Sequence, residues 1–145
     1  MKRVRPRHGH ARHRADYINR IESELVGAIG EFYKGVLASQ LGLGLAAHWE
    51  AEAYRIVHGS LVRAVQIPVR GFTNRGDAFM RAVREVESDD ARYRAMAEAE
   101  VRRDYPGKVA KTARVDAQAT RAFWSMVHGA VAAAIRSPAD IKRRK

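Results

Sequence analysis

The chain contains no cysteine. That excludes disulfides, thiolate zinc sites and thiol catalysis together, and it suits a reducing compartment. No run of about 18 apolar residues is present, the length a membrane-spanning helix needs, so no membrane partner is expected. Val4 and Ala11 are the only apolar residues after Met1 within residues 1–14. A secretory signal needs a longer apolar stretch, and Pro6 and Gly9 disfavour the amphipathic helix of a mitochondrial presequence. The expectation is a soluble, unprocessed protein, virion-borne or cytoplasmic and not exported by a signal peptide.

Acidic residues are missing from both ends. Residues 1–14 hold Lys2, Arg3, Arg5, Arg7, Arg12 and Arg14, and residues 142–145 hold Lys142, Arg143, Arg144 and Lys145. Residues 15–141 carry 17 basic side chains against 16 acidic ones, so nearly all of the net +11 belongs to the ends. The ten terminal bases are the candidate nucleic-acid-binding residues. Blocks of like charge repel and stay extended until a polyanion neutralises them. The ends hold no aromatic side chain for base stacking, so the expected contacts are to the DNA or RNA backbone and weaken with salt. His8, His10 and His13 would add charge below about pH 6.5.

At 145 residues, 46% apolar and 30% charged, the chain fits one folded domain. Apolar spacing is helical almost throughout. A first helix is predicted from an Asp16 N-cap to about residue 40, burying Ile18, Ile21, Leu25, Ile29, Phe32 and Val36, with Gly42 and Gly44 as its stop. A second spans about 45–65 and buries Trp49, Ala53, Ile56, Val57 and Leu61. Asp77 is read as the cap of a third, carrying Phe79, Val83 and Val86. Ser88-Asp89-Asp90 breaks or recaps it, and Tyr93, Met96, Ala97 and Val101 resume the pattern. Tyr105-Pro106-Gly107 is a turn. A last helix runs over about 112–136 and stops at Ser137-Pro138. Residues 67–72 read as a loop or an added edge strand.

The expected fold class is all-α, a four-to-five-helix bundle of two αα-hairpins with extended basic arms. Residues 1–15 form one arm, 16–137 the helical domain and 138–145 the C-terminal tail. Val-His-Gly recurs at 57–59 and 127–129, an echo that chance explains better than duplication. Residues 123–135 are apolar on almost every side, so that stretch is either central in a bundle or covered by another chain. Taking the second reading, Phe123, Trp124, Val127, Val131 and Ile135 are the candidate interface to other subunits of a homo- or hetero-oligomer.

Chemistry-bearing patterns are weak. Gly42-Leu-Gly44-Leu-Ala-Ala47 imitates a dinucleotide fingerprint but follows a helix, not a strand. No phosphate-binding P-loop is present. Leu45, Arg55 and Ser125 stand three residues before His48, His58 and His128, where a di-iron bundle needs glutamates. The paired glutamates at 22/24, 50/52 and 98/100 diverge by about 200° on a helix and form no local dyad. Ser60 beside His58 and Ser125 before His128 lack an orienting acid. Arg75-Gly76-Asp77 reads as a loop glycine before a cap. No metal, cofactor or catalytic residue is expected. Residues 123–129 resemble the aromatic-then-His-Gly element in ligand-binding domains of some TetR-type repressors, over one helix only. Residues 1–40 contain no counterpart of the helix-turn-helix such regulators require.

These features imply holding rather than turnover. The expectation is a non-enzymatic structural protein of a nucleoprotein assembly, such as a phage virion component of head, neck or interior. The alternatives are a ribosome- or nucleoid-associated protein and a helical regulatory protein.

Overall fold

A computed structural model describes the backbone of residues 5–66 and 75–144, and side chains over 16–64 and 79–135. The described residues are helical with no strand. The helices are α1 (Arg5–Gln40), α2 (Ala46–Arg55), a π-helical turn (Ile56–Leu61), α3 (Val62–Gln66), α4 (Arg75–Ser88), α5 (Asp90–Asp104), α6 (Lys108–Thr112) and α7 (Ala117–Arg144). The π turn joins α2 to α3 without a break, so the first Val-His-Gly is wound differently from the second, which lies in regular α7.

α1 is the spine, packing against α2, the π turn, α4, α5 and α7. Its buried stripe is Tyr17, Ile21, Leu25, Ile29, Tyr33 and Leu37. Of the face expected from the sequence, Ile21, Leu25 and Ile29 are buried, whereas Ile18 and Phe32 only flank the core, Val36 is half-buried, and two tyrosines take inward positions. Strict four-residue spacing drifts by about 40° per step on a helix, so the stripe winds around α1 and meets different neighbours along its length. The tyrosines tolerate burial because their hydroxyls have partners: Tyr17 donates to the Ala64 carbonyl at 3.2 Å, and Tyr33 donates to Asp90 Oδ1.

α1 ends where its glycine requires. Gly42 has φ +70°, the Gly42 N–H donates to the Ser39 carbonyl at 3.1 Å, and the Leu43 N–H donates to the Ala38 carbonyl at 2.8 Å. That pair of bonds is a Schellman cap. The chain then turns back, and Gly35 lets α2 come close: a Cβ there would sit 2.8 Å from Glu50 Cγ. The breaks at Asp89 and at Tyr105–Gly107 fall where the sequence puts them.

Several boundaries differ from expectation. α1 begins at Arg5, so residues 5–15 continue the helix rather than forming an extended arm. α4 starts at Arg75, which makes Arg75-Gly76-Asp77 its first turn and moves Asp77 inside it. α7 passes through Ser137-Pro138 to Arg144. An interior proline removes its own N–H and crowds the carbonyl four residues back, a cost of about 3 kcal/mol that disfavours a helix without forbidding it. α6 has no counterpart in the pattern read from the sequence. The stretch 67–72 lies outside the described residues.

The expected interface on α7 is core. Phe123, Trp124, Val127 and Val131 are buried within the chain, and Ile135 packs against the same cluster. The Phe32 and Tyr33 rings lie 5.3 and 6.0 Å from that of Phe123. The cover sought in a second chain is therefore supplied by this one, and α7 presents Ser125, Gly129, Ala132 and Ala133 outward.

Candidate nucleic-acid interface

The terminal bases acquire a spatial relation only through the order of the helices. Tyr17 near the start of α1 packs edge-on to Phe79 of α4 and bonds to Ala64 of α3. Further along, Tyr33 meets Asp90 just beyond α4, and Phe123 of α7. Glu87 of α4 meets His128 of α7 at 2.7 Å, while Asp90 meets Trp124. Moving back along α4 thus means moving forward along α7. α4 runs parallel to α1, and α7 runs antiparallel to both. The first turns of α1 and the last turns of α7 consequently lie at the same end of the bundle.

That end gathers the basic runs. Arg5, Arg7, Arg12 and Arg14 belong to α1, and Lys142, Arg143 and Arg144 to α7. Lys2, Arg3 and Lys145 lie outside the described residues. At about 1.5 Å per residue, α1 extends roughly 18 Å beyond Tyr17, and α7 continues through Pro138 to Arg144. The two ends differ electrostatically. Cations near the C-terminus of α7 complement the helix dipole, whereas arginines in the first turn of α1, which holds no acidic residue, oppose it. An anion at the start of α1 would relieve both the like-charge repulsion and the dipole.

A second polar cluster, which no sequence pattern announces, lies at mid-height. Asp90 is 6% exposed. Its Oδ1 accepts from the Tyr33 hydroxyl and from Trp124 Nε1 at 2.8 Å, and its Oδ2 accepts from Arg94 Nε at 2.7 Å. Burial, and next the Asp90 hydrogen bond, hold the Tyr33 hydroxyl well above the ordinary phenol range. With both oxygens engaged, Asp90 ties α1, α5 and α7 together. The Ser88-Asp89-Asp90 break was legible, but the partners of Asp90 lie 57 and 34 residues away.

The remaining candidates sort as follows. His58 is exposed and stacks on Tyr54 at 4.1 Å, away from any described acid partner, and His128 pairs with Glu87. Glu98 pairs with Arg102 and Glu100 with Lys34, both at 3.5 Å, whereas Arg103 pairs with Asp104. Among the described residues no three His, Asp or Glu side chains converge as a metal site, and no helix is long and apolar enough to cross a membrane. The side chains of His8, His10 and His13 lie outside those described. Comparison with protein-family models, curated proteins and solved structures finds no match.

Proposed function

We propose that the chain is a non-enzymatic structural component of a nucleoprotein assembly, gripping nucleic acid through the two basic helix ends. The observation that supports this is the antiparallel course of α1 and α7, which brings the helix ends that carry two basic runs, far apart in sequence, to one end of a helical body. Neutralising several phosphates with one cluster releases counterions and gives backbone binding without sequence reading. Arginine-rich turns favour bidentate phosphate contacts, and the adjoining start of α1 adds unpaired backbone N–H groups. A phage virion component fits this character, and a ribosome- or nucleoid-associated protein shares it.

The test compares the full chain with variants lacking residues 1–14, residues 142–145, or both. Duplex DNA binding is followed by fluorescence anisotropy across a salt series. The slope of log K against log salt should fall by about 0.9 for each phosphate that the truncated chain no longer neutralises. Removing both ends should abolish binding while the helical melting transition persists. Unchanged binding by the doubly truncated chain refutes the reading.

A further inference from the structure

The opposite end of the bundle carries a different surface. There the Schellman turn after α1 faces the turn joining α5 to α6, and between them lies an open groove of about 400 Å³. Leu41 and Leu43 form one wall, and Tyr105, Pro106, Val109 and Ala110 the other. Val109 is 59% exposed, and Leu45, two residues beyond Leu43, is 46% exposed. Val109 thus leaves aliphatic surface open to solvent on the wall of a shallow, mainly apolar depression.

The groove is held in shape. Gln40 bonds Arg114 twice, donating from Nε2 to its carbonyl at 2.7 Å and accepting from its N–H at 3.1 Å. The Thr112 hydroxyl donates to the Val109 carbonyl, and the Gly107 N–H to the Tyr105 carbonyl at 2.7 Å. The α6 wall is thus fastened to the end of α1, and a ligand would bind with little ordering cost.

The rim decides what kind of ligand. Lys108 lines the groove, and Lys111 follows it one turn along α6; both are exposed, and neither lies within 4.0 Å of a carboxylate among the described residues, whereas the Arg114 guanidinium donates to the Lys111 and Ala113 carbonyls at 2.9 Å. The acids nearby are already engaged: Asp104 with Arg103, Glu100 with Lys34, Glu98 with Arg102 and the Val115 N–H, and Asp116 with the Ala119 N–H. An apolar trough beside two α6 lysines without a carboxylate partner complements a segment that is aliphatic on one side and acidic on the other. Nucleic acid would match the cations but waste the leucine and valine lining. A lipid surface would favour a protruding apolar knob over a concavity.

We propose that this groove docks an acidic, leucine-bearing segment of a partner protein. The site is separate from the basic helix ends and stands whether or not those ends bind nucleic acid.

The experiment uses the full chain and a synthetic peptide of glutamates interrupted by two leucines one helical turn apart. Amide NMR shifts should move at Leu41, Leu43, Val109 and Lys111. Val109→Glu and Lys111→Glu, both at exposed positions, should each weaken peptide binding by about tenfold or more with unchanged melting. A leucine-free peptide of equal charge should bind about tenfold more weakly. Deleting residues 1–14 and 142–145 should leave the groove shifts intact, which separates this test from that of the nucleic-acid reading. Shifts confined to the ends of α1 and α7, or equal affinity for the leucine-free peptide, overturn the proposal. So does displacement of the peptide from Val109 by phosphatidylserine vesicles, which would assign the groove to a lipid surface.

Discussion

Two stretches of long helix bury different shares of their surface than their composition suggests. Residues 123–135 of α7 are apolar on almost every side, yet Ser125, Gly129, Ala132 and Ala133 face outward. Residues 30–38 of α1 include Glu31, Tyr33 and Lys34, yet none of the nine is exposed. Hydropathy ranks alanine and glycine with the core, but their small side chains remove little area from water and gain little by burial. Tyr33 and Lys34 bury large surfaces once their polar tips are met. Lys34 reaches Glu100 at 3.5 Å and lies over the Trp49 ring, and Tyr33 has Asp90. Size and available partners, more than polarity, decide which helix becomes the spine.

The sharpest break of this contrast is Asp90→Ala. It strands the Tyr33 hydroxyl, the Trp124 N–H and the Arg94 guanidinium around a space they were built to fill. Arg94 is a third exposed and can turn to water, but each of the two buried donors left unmatched costs about 1–3 kcal/mol. Ser125→Ala on the outer side of α7 should stay within about 0.5 kcal/mol. Chemical denaturation of both variants checks the pair. A cost for Asp90→Ala as small as that for Ser125→Ala would show that the spine does not depend on its polar tie.

What was legible follows from range. The cap at Gly42 and the break at Asp89 are written within a few residues, because a positive φ and an acidic run need only local context. The Asp90 tie and the shared end of the basic runs require knowing which helices are neighbours, and no local pattern encodes that. α6 is five residues long, too short for a periodicity, so the groove it walls was invisible. Pro138 misled because the cost of an interior proline, about 3 kcal/mol, disfavours a helix without forbidding it.

Two glycines test the same contrast at closer range. Gly35 sits on the enclosed part of α1, and Gly129 on the open side of α7, where an added Cβ meets nothing within 4 Å. Gly35→Ala must push Glu50 and the α2 backbone away and should destabilise by about 1–3 kcal/mol. Gly129→Ala only improves helix propensity and should stabilise by about 0.5–1 kcal/mol. Thermal melting of the two variants should therefore move in opposite directions. Shifts of the same sign would mean that the backbones of α1 and α2 do not approach closely.

The smallest effect is a pH dependence confined to α1. Burial and the Asp90 hydrogen bond raise the Tyr33 hydroxyl above the ordinary phenol range. Above about pH 10 an unfolded tyrosine releases its proton while the folded one keeps it. The native state then binds more protons than the unfolded state, so stability falls as pH rises. The contribution is fully present below about pH 10 and is lost by at most about 1.4 kcal/mol for each pH unit above it. Tyr33→Phe should cost about 1 kcal/mol at pH 8, through the missing hydrogen bond, and that deficit should shrink beyond pH 10. Every other side chain is common to both proteins, so its contribution cancels in the difference. Urea midpoints at pH 8, 10 and 11 give the comparison, and parallel alkaline losses in the two proteins would remove Tyr33 from the buried tie.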